Sequence, residues 1–407
     1  MSEREAIRQF LAQRRESQAR FLAELVRKPS DNPPGDCAAH AETAARLLEQ
    51  IGFAVERHPV PAAQVRAAGM VSAVNLIVRE RFGAGPTIAL NAHGDVVPPG
   101  LGWSTDPYGA EVMDGVMYGR GVAVSKSDFA TYAFALLALK SMKNLKGAVE
   151  LHFTYDEETG GEVGPKWLLE QKLTRPDYAV SAGFAYGITT AHNGCLHLEV
   201  EVIGKSAHAA RPETGIDALE AATGIMRELY ALRKTYAATR SRTPGIDHPT
   251  LVIGLVSGGI NTNVVPDNVK LRVDRRIIPE EDAQRVENEL TDRIQGFAAK
   301  WPGIACRVKR ILLARPFTPL AGQERLVEVL QRNAAQILGE KIAARGVPLY
   351  TDARHYSGAG IPTVLYGAGP RTLLEANGHR ADEKLRLDDL YKATQVVALS
   401  LHELLSA

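Results

Sequence analysis

The feature that most constrains this chain is a change of hydrophobic period along its length. The runs 71-VSAVNLIV-78, 86-PTIALNA-92 and 148-AVELHFTY-155 are almost continuously apolar, as in strands covered on both faces. Around them, apolar residues recur at helical spacing over 37–50 and 127–141. Strand and helix alternate, which predicts an α/β layer around a mainly parallel sheet. From 195 to about 312 the pattern changes. The segments 196-LHLEVEVIG-204, 250-TLVIGLVSG-258 and 269-VKLRVDRRI-277 alternate apolar and polar residues, as in a sheet with one wet face. Helices are predicted over 215–233 and 280–299, and a last strand over 304–312. This βαββαβ order reads as a domain inserted into the first. The α/β alternation then resumes with helix 323–338, strand 361–367 and helix 386–405. The predicted domains are therefore 1–194 joined with 313–407, and the insert 195–312. At the N-terminus, Ile7, Phe10, Leu11, Phe21, Leu22 and Leu25 predict one amphipathic helix over 2–27.

A chain of 407 residues has room for two or three cored domains. Its 48 Lys+Arg balance 47 Asp+Glu, which leaves no global basic footprint, and no nucleic-acid partner is expected. Cys37, Cys195 and Cys306 are far apart and odd in number. That argues against a disulfide scaffold, and they lack C-x-x-C spacing. The N-terminus is too charged for a signal-peptide core, and no long uncharged apolar stretch predicts a membrane span. A cytoplasmic location is expected.

Several short segments carry residues suited to chemistry. In 90-LNAHGDVVP-98, His93 and Asp95 follow a buried strand. An imidazole backed by a carboxylate is a common metal-ligand arrangement; an H-x-D turn at a strand end can also be mere capping. In 153-FTYDEETGG-161, Asp156, Glu157 and Glu158 stand side by side. They form either a solvated acidic turn or a site where one carboxylate binds metal while its neighbour takes a proton from water. His379 lies in 377-NGHRADEKL-385, where Asp382 or Glu383 can simply favour the start of the last helix. The insert offers His208 in a Gly- and Pro-bounded loop, with Asn263, Arg275 and Arg276 suited to a substrate carboxylate or to surface ion pairs. Thr351, Asp352 and His355 form a further cluster.

Taken together, these motifs resemble the metallopeptidase and amidohydrolase family of acetylornithine deacetylase, succinyl-diaminopimelate desuccinylase, aminoacylase and carboxypeptidase G. The resemblance runs from about residue 10 to the C-terminus. It rests on H-G-D (93–95), Y-G-R-G (118–121), D-E-E (156–158), G-K-x-A-H-A-x-x-P (204–212), N-x-x-P-D (263–267), D-x-R-x-x-P (274–279), T-D-A-R (351–354) and His379. It implies a catalytic α/β domain with an inserted ferredoxin-like lid that often dimerises. It also implies roles: Glu157 as the general base that activates water, and His93, Glu158 and His379 as metal ligands. Asp95 would be the partner behind His93, and His208 an oxyanion contact from a neighbouring subunit. Asn263 and Arg276 would be substrate-carboxylate contacts.

The chain departs from that family at two positions. The bridging aspartate expected after Gly-Arg-Gly is Val124, and a further acidic ligand expected near 177–185 is Gly183. Two cations about 3.5 to 4 Å apart need negative charge between them. Three readings follow. One ion, most simply zinc with manganese or cobalt as substitutes, takes His93, Glu158 and His379, a His2Glu set. Alternatively, Asp128, His192 or His355 completes a fuller site. Otherwise the chain is a catalytically inactive ligand-binding homologue. The expected activity is hydrolysis of an amide C–N bond in a small carboxylate-bearing substrate such as an N-acyl amino acid or dipeptide, by a homodimer.

Overall fold

The computed structural model describes residues 2–406. The chain forms two compact units. One runs to Thr190 and resumes over Pro319–Arg345 and from Thr351; the other comprises Ala191–Thr318 and Gly346–Tyr350.

The first unit holds a mainly parallel sheet. Its central strands, in spatial order, are Ala148–Thr154, Thr87–His93, Tyr178–Ser181 and Thr363–Leu365, all parallel. Antiparallel strands flank them, Val74–Arg81 and Val55–Pro59 on one side and Gly187–His192 on the other. Every residue of Ala148–Thr154 is buried, which is why that segment shows no alternation. The helix Lys126–Leu139 is buried at all positions except Leu137, as expected of a helix apolar on every side. His93 and Thr154 are register partners in parallel strands. The H-G-D turn and the acidic turn after Thr154 therefore leave the sheet at the same carboxyl-terminal edge, where ligands bind in such folds.

Two features of this unit differ from the sequence expectation. The single helix predicted over 2–27 is two helices, Glu3–Ala12 and Arg15–Arg27. At the break the Arg14 guanidinium folds back over the Phe10 ring, 3.6 Å from its centroid, and donates to the Phe10 carbonyl. A small sheet of Glu111–Met113, Val116–Tyr118 and Lys384–Arg386 also escaped the periodicity, because strands of three residues are too short to show one.

The second unit is a four-stranded antiparallel sheet in the order Thr250–Gly258, Asn268–Ile277, Gly194–Ile203, Ala305–Ala314. Leu196, Leu198 and Val200 pack into one core with residues of the helices Ala218–Thr235 and Ala283–Ala298. Those helices start later than periodicity predicts because Asp217 and Asp282 cap them. Asp217 accepts from the Leu219 and Glu220 amides and Asp282 from Arg285. No described helix is long and apolar enough to cross a membrane.

Candidate metal-dependent active site

The site is assembled from loops at the sheet edge of the first unit. Gly94 in the H-G-D turn has a steric reason: a Cβ there would lie 2.5 Å from the Tyr155 ring. Asp95 is buried and ties the turn together. Its carboxylate accepts from Asn32 Nδ2 (3.0 Å) and from the backbone amides of Glu157 (3.3 Å) and Glu158 (3.2 Å). Burial opposes charge on Asp95, but contacts from His93, Asn32 and the Glu158 amide outweigh it and hold its pKa below the ordinary carboxylate value.

His93 Nδ1 lies 3.0 Å from the Asp95 carbonyl and 3.4 Å from the Asp95 carboxylate. The carbonyl is the closer partner, so Asp95 supports His93 chiefly through its main chain. That contact directs Nε2 toward the acidic turn, where Glu157 Oε2 stands 3.9 Å away. Ligand atoms of His93, Glu157 and Glu158 all lie within 4.8 Å of one another. His379 joins through Glu158, with Nε2 3.3 Å from Oε1. Its backbone is left-handed, φ +62°, a conformation uncommon for a non-glycine residue, although histidine tolerates it better than most.

The loop bearing His379 is held by Glu383. This carboxylate is buried, pairs with the buried Arg120 at 2.6 Å, and accepts from the amides of Ala123 and Val124. Glu383 is thus an anchor between the Gly-Arg-Gly loop and the His379 loop, and the last helix starts only at Leu387. Neither Glu383 nor Asn32 stood out in sequence as a site residue. Their partners lie 263 and 63 positions away, and no local spacing encodes that.

The electrostatics favour a cation. Burial pushes Glu157 up to about 8, with His93 opposing the shift and Glu158 and Asp95 adding to it. Asp352 is likewise raised to about 8 by burial, then by Glu157. Both of its carboxylate oxygens are buried without a hydrogen-bond partner, as is one oxygen of Asp156. Several half-compensated acids beside an imidazole fit a divalent ion, which would offset their mutual repulsion.

Asp128, His192 and His355 are not among the ligand atoms that converge with His93, Glu157 and Glu158. Asp128 does lie beside the position of the missing acid, but it is buried and accepts from the Ala368 amide at 2.6 Å. Burial raises it to about 7, and it is not among the converging atoms. His355 faces the Gly160 carbonyl at 3.2 Å. His192 Nδ1 faces the Asn193 carbonyl in the second unit. At Gly183 a Cβ would lie 2.7 Å from the Tyr366 nitrogen, so the neighbouring strand leaves no room for an acidic side chain there.

The remaining candidates lie in the second unit. His208 and Val264 form an antiparallel bridge, and Ala209 donates to the Asn263 carbonyl at 3.0 Å. The structure thus brings the His208 and Asn263 segments together. Asn263 lies in the turn before the strand Asn268–Ile277, and Arg276 lies near that strand's other end, roughly 26 Å from Asn268 at about 3.3 Å per residue. Arg276 Nε donates to Asp274 at 3.0 Å, and its guanidinium lies 5.6 Å from the Tyr350 ring centroid.

Residues 89–403 match the profile of peptidase family M20/M25/M40. A succinyl-diaminopimelate desuccinylase of Nautilia profundicola is 27% identical over 78% of this chain and 86% of its own length. An acetylornithine deacetylase of Proteus mirabilis is 29% identical over 80% of each chain. Among solved structures, a dinuclear metal-binding M20 family peptidase of Bacillus subtilis superposes with a TM-score of 0.67 at 18% identity, over 97% of this chain and 99% of its own.

Proposed function

The chain belongs to peptidase family M20/M25/M40 and is a metal-dependent hydrolase of C–N bonds in small substrates; from that premise we propose that it cleaves an amide in a carboxylate-bearing substrate such as an N-acyl amino acid or a dipeptide. The observation that carries this reading is the convergence of His93, Glu157 and Glu158, with His379 held to Glu158. His93, Glu158 and His379 would hold one divalent ion, zinc being the best match to two imidazoles and a carboxylate. Bound there, the ion would make water more acidic and polarise the scissile carbonyl.

Glu157 takes the proton from the attacking water. Burial favours this role, since a carboxyl raised toward neutral pH both accepts and returns a proton efficiently. Asp95 is a positioning residue that fixes His93 and the acidic turn at once. His208 contacts the oxyanion, while Asn263 and Arg276 contact substrate carboxylate. Asn263 lies in the turn before the strand Asn268–Ile277 and Arg276 near that strand's other end, which supports a substrate held by Asn263 of one copy and Arg276 of another. A homodimer through the inserted unit provides that arrangement.

The single ion is supported by Val124 and by the filled space at Gly183. The relative from Bacillus subtilis is dinuclear, so the count is the sharpest point of difference. The test is metal analysis of the Cys195→Ser variant, in which the thiol on the inserted sheet cannot hold zinc, purified in excess zinc and followed by a screen of N-acyl amino acids and dipeptides with Zn2+, Mn2+ or Co2+. About one equivalent bound at His93, Glu158 and His379, with turnover of at least one amide, is expected. Two equivalents at that group overturn the single-ion reading. Full metal content with no amide turned over overturns the hydrolytic one.

A further inference from the structure

A second group of ligand-type side chains lies on the open face of the four-stranded sheet, in the other unit. Along Gly194–Ile203 the even positions Leu196, Leu198 and Val200 enter the core, so Cys195 and His197 point to the opposite face. The antiparallel register places Asp274 opposite His197 and Arg276 opposite Cys195. Three atoms therefore meet. His197 Nε2 is 2.9 Å from Asp274 Oδ2 and 3.1 Å from Cys195 Sγ, and Sγ is 3.7 Å from that same carboxylate oxygen.

Two chemistries use cysteine, histidine and aspartate. A proton relay needs the thiol on one ring nitrogen and the carboxylate on the other. Here a single nitrogen faces both, so it cannot donate to Asp274 and accept the thiol proton together. Convergence of one sulfur, one nitrogen and one oxygen on a common point is instead the arrangement of metal ligands. Around tetrahedral zinc the edges between such atoms would be about 3.4 to 3.6 Å, which the observed triangle reaches by shifts of a few tenths of an ångström. Arg276 Nε donates to the other oxygen, Asp274 Oδ1, at 3.0 Å. That is the kind of outer hydrogen bond that orients a ligating carboxylate. Cys195 is fully buried, while the His197 and Asp274 side chains are 34% and 27% exposed. The group therefore has a closed floor and an open side, where water can serve as a fourth ligand.

We infer that Cys195, His197 and Asp274 form a second metal site, selective for zinc-class ions. Thiolate and imidazole select zinc or cobalt over magnesium or manganese. The site shares no residue with the His93 group and does not depend on the hydrolytic reading.

Cobalt(II) reports it directly, because only a thiolate ligand gives an intense near-ultraviolet charge-transfer band. Metal-free full-length protein titrated with Co2+ is expected to show the band in the wild type and in His93→Ala. Cys195→Ser abolishes it. His197→Gln, a change at a half-exposed position that should not disturb folding, weakens cobalt affinity at this site at least tenfold. Zinc added afterwards erases the band. Absence of the band in the saturated wild type overturns the inference. So does a band of undiminished strength in Cys195→Ser, or an unchanged titration in folded His197→Gln.

Discussion

Glu157 is a carboxylate that gains chemically from an environment that costs it stability. It is packed among Glu158, Asp95 and Asp352 with His93 as its nearest cationic partner. Glu157→Gln keeps the volume and removes the proton acceptor. General-base loss of this kind is expected to lower kcat by about 10²- to 10⁴-fold, with KM little changed. The melting temperature should hold or rise, since one crowded buried acid is gone. Steady-state kinetics beside thermal unfolding decide it, and wild-type turnover would remove Glu157 from the role of base. His93, Glu157 and Glu158 were legible in sequence because His93 ends one almost wholly buried strand and the two glutamates follow soon after another that is buried throughout. Asp352 was visible only as part of a cluster. Its burial against Glu157 depends on packing between segments about two hundred residues apart.

Paired elements carry the next level of order. Arg79 and Glu150 are register partners on adjacent strands and form an ion pair. Glu150 also accepts from Thr174 at 2.5 Å and meets His152 at 2.9 Å. Burial opposes its charge, yet His152, Thr174 and Arg79 together hold its pKa down to about 2. A carboxyl lowered on folding stabilises the fold above its unfolded pKa, near 4.5, and that contribution disappears as pH falls toward 2. Glu150→Gln should therefore cost about 2 to 3 kcal/mol at pH 7 and progressively less between pH 4.5 and 2.5. Urea unfolding across that range tests it, and a pH-independent gap would refute the linkage. The Arg120–Glu383 pair makes a different prediction. Glu383→Gln leaves a buried guanidinium without its counter-charge and should cost roughly 3 kcal/mol. It should also loosen His379, so metal affinity falls alongside the urea midpoint; loss of neither would reject the anchoring role. The long helices were readable because their stripes are strong. The three-residue strands around Glu383 were not, since their order comes from pairing across the chain.

At the scale of the whole molecule, two hydrophobic periods in one sequence became two units with separate cores. The sequence carried the architecture because each period belongs to one kind of sheet. It did not carry the distance between the two ends of the strand Asn268–Ile277, which follows from strand length. That distance bears on assembly, and so do the two edges of the inserted sheet. The edge strand Ala305–Ala314 exposes Arg307, Lys309 and Arg310, charges that discourage pairing with another strand. The opposite edge, Thr250–Gly258, exposes Leu255 (66%) and Val256 (57%), and Ile260 follows it. An apolar edge of this kind is a template for a second copy. Replacing Leu255 and Val256 together by lysine should convert the proposed dimer to a monomer in light scattering. Amide hydrolysis should fall at least tenfold, because the proposed sharing of one substrate by Asn263 of one copy and Arg276 of the other is lost. Metal content at the His93 group should stay constant, since that group lies wholly in the other unit. A monomeric wild type, or a monomeric variant with full activity, would show that one chain suffices and that the edge serves some other purpose.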